Sequence, residues 1–181
     1  MTDSNTLWYL PLEQLPERYT GALYDHTIRD LDELGINYEV IHGDTLTSEV
    51  ETGQVLDAES RNYYAMSQIQ TLLQKVKDGE MTDGDVVFNQ DFWHLGQLSL
   101  QYLADIRDWD VGLYGFVCSG SFEKHDFVNR QGMTPWAQHL EKAWAEAYDG
   151  LFVANERMRD MVLDRVQNPA EVHVTGLPLS Q

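Results

Sequence analysis

A short polar segment of this sequence combines an acid, a base and an aromatic side chain. It runs Asn-Gln-Asp-Phe-Trp-His over residues 89–94, directly after an apolar run. Asp91 or His94 could act as a general base, and Trp93 could stack on a sugar ring. The structural alternative is that Asp91 caps the following helix and Trp93 fills the core. The segment is the strongest catalytic candidate in the chain.

A second candidate is a small-residue loop after the apolar run 111–117. Ser119, Gly120 and Ser121 lie there, and small hydroxyl residues around a glycine suit close approach of the backbone to a polar ligand. The loop lacks the flanking glycines of a nucleophile elbow, so serine nucleophile chemistry is not predicted. Cys118 is the only cysteine, which excludes a disulfide within the chain and a cysteine-based zinc site. We predict no metal site.

Arg18, Tyr19 and Thr20 form a third candidate, a ligand-binding loop directly before a predicted helix. Arg18 could hold a carboxylate or phosphate, and Thr20 could present its hydroxyl at the helix N-terminus. The alternative is that Thr20 is an N-cap and Arg18 pairs with a surface carboxylate. The chain has neither a GxGxxG nor a GxxxxGK[ST] motif, which argues against a dinucleotide site and a P-loop.

Alternating strands and helices are predicted to position these three loops. Period-two or continuous apolar runs predict strands at 6–10, 38–41, 86–88, 111–117, 151–153 and 172–174. Apolar positions at helical spacing predict helices at 22–34, 63–77, 95–106 and 136–147, and a further one capped by Asn155. The stretch 45–62 has no clear period. The pattern predicts one α/β domain over 1–181, a Rossmann-like doubly wound parallel sheet with helices on both faces. Ligands of such sheets bind beyond the carboxyl ends of the strands.

The charge of the chain limits its partners. With 12 Lys and Arg against 30 Asp and Glu in 181 residues, the formal net charge is −18. Nucleic acids and anionic membrane surfaces are therefore not expected to bind. No apolar run reaches the length of a membrane span, and the N-terminus does not resemble a signal peptide, so we expect a cytoplasmic protein without membrane insertion. Four Lys among so many acidic residues indicate a halophilic protein, with an ordinary acidic protein as the alternative.

The C-terminal part of the chain resembles a known family. Residues 151–155 and 171–178, which end in Val-His-Val-Thr-Gly-Leu-Pro, resemble the last βαβ unit of the N-terminal domain of GT-B-fold glycosyltransferases. In those enzymes a strand carrying Val-x-Val-Thr-Gly-x-Pro leads to the hinge before a second Rossmann-like domain. Further segments look like glycosyltransferase-like proteins encoded by tailed phages: 7–11, 18–20, 85–88, 91–93 and 114–115.

This resemblance implies an acceptor-side domain. GT-B enzymes bind the acceptor mainly through the N-terminal domain and the nucleotide-sugar donor mainly through the C-terminal one, so the chain is expected to work with a second Rossmann-like domain or chain. It implies no metal and no other cofactor. If the protein is viral, its expected location is the host cytoplasm. The cleft residues that it implies are Arg18, Thr20, Asp91, Trp93, His94, Ser119 and Ser121, with Asp91 or His94 as the base.

A non-catalytic function is the competing hypothesis, because a fold does not determine an activity. On this hypothesis the chain is a viral structural or host-interaction protein with a Rossmann-like fold. The absence of a donor-binding half favours this alternative, whereas a cleft containing Trp, Asp, His and Ser favours the enzyme.

Overall fold

The computed structural model describes residues 5–15, 18–46, 58–166 and 171–177, and in these ranges strands and helices alternate. The strands are β1 (Leu7–Leu10), β2 (Tyr38–Val40), β3 (Val86–Asn89), β4 (Gly112–Val117), β5 (Gly150–Val153) and β6 (Glu171–Val174). The helices are α1 (Tyr19–Glu33), α2 (Ala58–Asp78), α3 (Gln97–Arg107), α4 (Phe127–Arg130), α5 (Thr134–Ala147) and α6 (Glu156–Leu163).

The strands form a parallel six-stranded sheet in the order β2-β1-β3-β4-β5-β6. This order confirms the predicted α/β, Rossmann-like class. The chain reverses its direction across the sheet after β2, so the topological switch point lies between β1 and β3. Loops at the carboxyl ends of strands beside a switch point are where such sheets bind ligands.

The described residues group into two compact units. The first comprises residues up to 90 together with 94–112, and the second comprises 91–93 together with 113–177. The first unit contains β1 to β3 with α1 to α3, and the second contains β4 from its second residue onward, β5 and β6, with α4 to α6. The expectation of one domain over 1–181 stays a prediction.

In the first unit, β1 lies between β2 and β3 and is covered on both faces. Successive side chains of a strand point to opposite faces. The ring of Tyr9 stacks on Tyr24 of α1, with centroids 6.0 Å apart, whereas Lys75 of α2 places its Nζ 5.9 Å from the centre of the Trp8 ring. The helices α1 and α2 therefore cover opposite faces, as right-handed crossovers running in opposite directions require.

A buried carboxylate joins the beginnings of β1 and β3. Asp85 immediately precedes β3 and accepts hydrogen bonds from the Thr6 amide at 2.8 Å, the Trp8 indole N–H at 2.9 Å and the Thr82 amide at 2.9 Å. Three N–H donors thus replace the water that the carboxylate loses on burial. The side chain aligns β1 with β3.

In the second unit, aromatic side chains line one face of β4 to β6. Tyr114 stacks on Phe152 at 6.2 Å, and Phe152 lies 5.6 Å from His173 on the edge strand. The connection from β5 to β6 passes through α6, whose N-cap is Asn155, as predicted. Its Oδ1 accepts from the Met158 amide at 3.0 Å.

Two local predictions were wrong. The helix α1 begins at Tyr19, so Tyr19 and Thr20 lie in its first turn rather than in a loop. Arg18 occupies the N-cap position with an extended backbone, and its side chain makes no capping hydrogen bond. Thr20 is buried and accepts from the Leu15 amide at 3.4 Å, so it is not the N-cap. The polar loop after β4 contains the short helix α4, which is capped by Asp126. Of the aperiodic stretch 45–62, residues 47–57 lie outside the described residues.

Asp85→Asn is expected to lower the free energy of unfolding by about 2–3 kcal/mol, because an NH2 group then faces N–H donors that were bound to oxygen. Urea unfolding followed by circular dichroism measures this loss. The matched control is Asp25→Asn, which changes an exposed carboxylate of α1 and should shift stability by less than about 0.5 kcal/mol. Equal stability of the two variants would contradict the proposed role of Asp85.

Candidate functional site

A buried amide links the carboxyl ends of β1 and β2. The Nε2 of Gln68, on α2, donates to the carbonyl of Pro11 at 2.9 Å and to that of Ile41 at 2.8 Å. The Oε1 of Gln68 lies 3.2 Å from Nε2 of His94. The Gly96 amide donates to Nδ1 of His94 at 3.3 Å, so the ring proton is on Nε2 and His94 donates to Gln68.

His94 is held neutral by its surroundings. Burial lowers the pKa of His94 to about 3, and the positive charge of Arg61 acts in the same direction. Both ring nitrogens take part in internal hydrogen bonds. This geometry makes His94 a structural side chain and disfavours its predicted role as a general base, which requires a nitrogen that takes up a proton near neutral pH.

Asp91 lies in the loop after β3 and is half-buried. Its Oδ1 accepts from the Trp93 amide at 3.0 Å, an arrangement that orients the carboxylate. The N-cap of α3 is Gly96, so Asp91 does not cap that helix. Asp91 stays the candidate base.

Trp93 belongs to an aromatic cluster in the second unit. Its ring meets those of Trp144, Trp136 and Phe127 at steep angles, with centroids 5.2, 6.1 and 6.2 Å away. Trp144 is fully buried, whereas Trp136, at the beginning of α5, is 46% exposed. Trp136 lies in the first turn of α5, at the edge of the core.

A buried glutamate connects the cluster to the small-residue loop. The Oε1 of Glu141, on α5, accepts from the indole N–H of Trp93 and from the Ser121 amide, both at 2.7 Å, and Oε2 accepts from the Ser121 hydroxyl. A Cβ at Gly120 would lie 2.8 Å from Oε1. The Phe122 ring would lie closer still, at 2.6 Å, so the space beside Gly120 is taken by this ring and by the carboxylate of Glu141.

Polar side chains from α4 and the α6 region also hold this loop. Asn129 donates to the carbonyls of Ser121 at 2.8 Å and Glu123 at 2.7 Å. Arg165 donates to the Ser121 hydroxyl at 3.2 Å, and Arg157 pairs with the Glu123 carboxylate at 3.3 Å. The Ser121 amide and hydroxyl thus serve internal contacts.

Glu141 and Arg165 were missed by the sequence analysis. The signal for Glu141 was available, because position 141 follows the buried Ala137 by four residues and precedes the buried Trp144 by three. A charged residue at such a core position needs buried partners. No comparable signal identifies Arg165, because its contact with Ser121 joins residues 44 positions apart.

The structure distributes the predicted site residues over both units. Arg18, Tyr19, Thr20 and His94 belong to the first unit. Asp91, Trp93, Ser119, Gly120 and Ser121 belong to the second, where contacts join Trp93 to Asp91 and, through Glu141, to Ser121. Among the described residues, no three His, Cys, Asp or Glu side chains are grouped to hold a metal ion. In the same ranges no helix is long and apolar enough to cross a membrane.

His94→Gln is expected to reduce the loss of stability in acid. The folded-state pKa of His94, about 3, lies below the ordinary value of 6.5. At a pH between these two values the imidazole is therefore protonated in the unfolded chain and neutral in the folded protein. The contribution of His94 is complete above pH 6.5 and falls by about 1.4 kcal/mol per pH unit below it. Urea unfolding from pH 7 to 4 should show wild type and variant converging in stability as the pH falls. The control is His139→Gln, at an exposed position, which should keep the wild-type pH dependence. If the curves of stability against pH for wild type and His94→Gln were parallel, the predicted contribution of His94 would be refuted.

Glu141→Leu is expected to destabilise the protein by about 3 kcal/mol, because buried donors of Trp93 and Ser121 lose their acceptor. Glu141→Gln retains one acceptor oxygen and should cost about 1 kcal/mol. Chemical unfolding gives the stabilities, and tryptophan fluorescence of the folded protein should change in the Leu variant because the Trp93 indole N–H has lost its partner. Equal stability of the Leu and Gln variants would show that the carboxylate does not organise this loop.

Neither the models of known protein families nor the curated proteins match this chain. What is established is the α/β, Rossmann-like class and the contacts around the loops, both from the structure. The resemblance to GT-B glycosyltransferases and to phage proteins stays a prediction, as do the halophilic character and the absence of nucleic-acid binding.

Proposed function

We propose that this chain is the acceptor-binding domain of a glycosyltransferase-like enzyme, which transfers a sugar from a nucleotide-sugar donor to an acceptor hydroxyl. The observation that carries the proposal is the short segment 91–93. It combines the oriented carboxylate of Asp91 with the indole of Trp93, which contacts the exposed ring of Trp136. This segment follows β3, a strand at the switch point of the sheet. Such loops are the usual ligand sites of Rossmann-like sheets.

The aromatic surface suits the apolar face of a sugar ring. Trp136 exposes nearly half of its surface and rests against Trp93. The Trp93 ring, against which Trp136 rests, is itself held by its hydrogen bond to Glu141 and by its contact with the buried Trp144. Rigid aromatic platforms with a few polar groups are common in small-molecule sites.

Asp91 supplies the chemistry in this proposal. Its carboxylate accepts the proton of the acceptor hydroxyl while the acceptor oxygen forms a bond to the anomeric carbon and the bond from that carbon to the donor phosphate breaks. The Trp93 amide orients the carboxylate for this step. The net charge of −18 disfavours a second anion on this surface, so the diphosphate of the donor is expected on a second Rossmann-like domain or chain.

A non-catalytic interaction module is the second candidate. It is favoured by the internal hydrogen bonds of His94 and Ser121, which use polar groups that a catalytic site needs for its substrate. Such a module binds a ligand on the Trp136 surface without transferring a sugar to it.

Trp136→Ala and Asp91→Asn are expected to separate binding from turnover. Saccharide binding is measured by saturation-transfer NMR. Sugar transfer is measured by mass spectrometry of reactions that contain the protein, any donor-binding partner and a panel of nucleotide sugars. Trp136→Ala should weaken acceptor binding about tenfold, a loss of one aromatic contact. Asp91→Asn should leave binding unchanged and lower turnover by about 10²–10⁴-fold.

Trp109→Ala is the matched control, since Trp109 contacts Arg107 in the first unit and should affect neither quantity. Saccharide binding without any product would favour the interaction module. Wild-type turnover in Asp91→Asn, or the absence of saccharide binding, would contradict the proposal.

A further inference from the structure

Two helices of the first unit turn rows of apolar side chains to solvent. On and just before α3, apolar residues recur at intervals of three or four, which places them on one side of the helix. Tyr102 and Ile106 are each 68% exposed, and α2 carries a similar row. We call these seven side chains the α2/α3 face: Tyr63, Met66, Leu73, Leu95, Leu98, Tyr102 and Ile106.

The two rows belong to helices that pack against each other. A Cβ at Gly96, the N-cap of α3, would lie 2.3 Å from the Cγ1 of Ile69 on α2. The opposite sides of these helices provide core residues such as Leu72 and Leu100. The α2/α3 face is therefore the outer side of a helical layer whose inner side covers the sheet.

This face lies in the least charged part of the sequence. Between residues 60 and 74 the only charged residue is Arg61, and residues 92–104 contain none when His94 is neutral. The whole chain is 23% charged and carries a net charge of −18. Two copies of so acidic a chain repel each other over most of their surfaces. The α2/α3 face carries fewer charges than the chain as a whole, although Asp105 and Arg107 flank Ile106 at its end.

The exposed area is close to what a stable dimer requires. With about 200 Å² as the full surface of a large side chain, the exposed fractions of the seven residues amount to roughly 700 Å². A standard protein–protein interface buries about 800 Å² on each partner. Monomers rarely expose a contiguous apolar patch above about 300–600 Å².

We infer that a second copy of this chain covers the α2/α3 face. A two-fold axis lets the same face serve both copies, as in most homodimers. The aromatic and aliphatic side chains supply the hydrophobic contribution, and the low charge keeps electrostatic repulsion away from the contact. Salt should strengthen the association, because it screens the repulsion between the remaining acidic surfaces.

Sedimentation equilibrium over a concentration series tests this inference on the full chain. Wild type is expected at twice the chain mass at micromolar concentration, with tighter association at about 1 M than at about 0.1 M salt. The double variant Tyr102→Lys with Ile106→Lys is expected at the single-chain mass, with association weakened at least 100-fold. Lysine lowers the net negative charge of each copy, so the loss would come from charge placed within the contact and not from a larger overall repulsion. Circular dichroism and thermal unfolding verify that the variant folds.

Leu34→Lys is the matched control, because Leu34 is an even more exposed apolar residue of the first unit and lies after α1, outside the face. It should remain dimeric. A monomeric wild type up to about 100 μM, as expected if another protein covers the face, would overturn the inference. A dimeric double-lysine variant, or dissociation by Leu34→Lys as well, would also overturn it. These outcomes do not depend on saccharide binding, so they are separate from those that test the proposed function.

Discussion

Buried polar backbone at the ends of parallel strands must find hydrogen-bond partners, and this constraint determines what several buried polar side chains of this protein do. At the carboxyl end of β1, Gln90 accepts from the Leu12 amide at 2.6 Å, and Gln68 donates to the Pro11 carbonyl. At the other end Asp85 receives three N–H groups. An unsatisfied buried group costs more than a formed hydrogen bond contributes, so such partners are obligatory.

The same constraint separates structural from functional candidates. His94 and Ser121 have the chemistry of catalytic groups, yet their polar atoms complete internal networks with Gln68 and Glu141. Asp91 also accepts an internal hydrogen bond, from the Trp93 amide, but it is only half-buried, and Trp136 is a half-exposed indole. The proposed function therefore depends on these two side chains, which extend from a scaffold that the buried networks make rigid.

Charge is distributed unevenly over the molecule. Lys75 lies 2.7 Å from Glu39 and 2.6 Å from Glu80, and its hydrogen bonds to these carboxylates raise the pKa of Lys75. Arg157 likewise pairs with Glu123. The scarce cations thus neutralise particular carboxylates, whereas residues 62–74 of α2 and 97–104 of α3 contain no charged side chain. An acidic surface with one apolar, weakly charged face favours association through that face.

The sequence by itself determined the order of the six strands and of the helices other than α4, the α/β class, the Asn155 cap and the end of α1 near Gly35, whose φ of 65° suits glycine. These features depend on local periodicity and on backbone preferences of single residues. Only the tertiary structure decided which polar side chains are satisfied internally. The contact of Glu141 with Ser121 spans 20 positions and that of His94 with Gln68 spans 26, and no local pattern specifies such pairs. They form because packing brings distant donors and acceptors together where water is excluded.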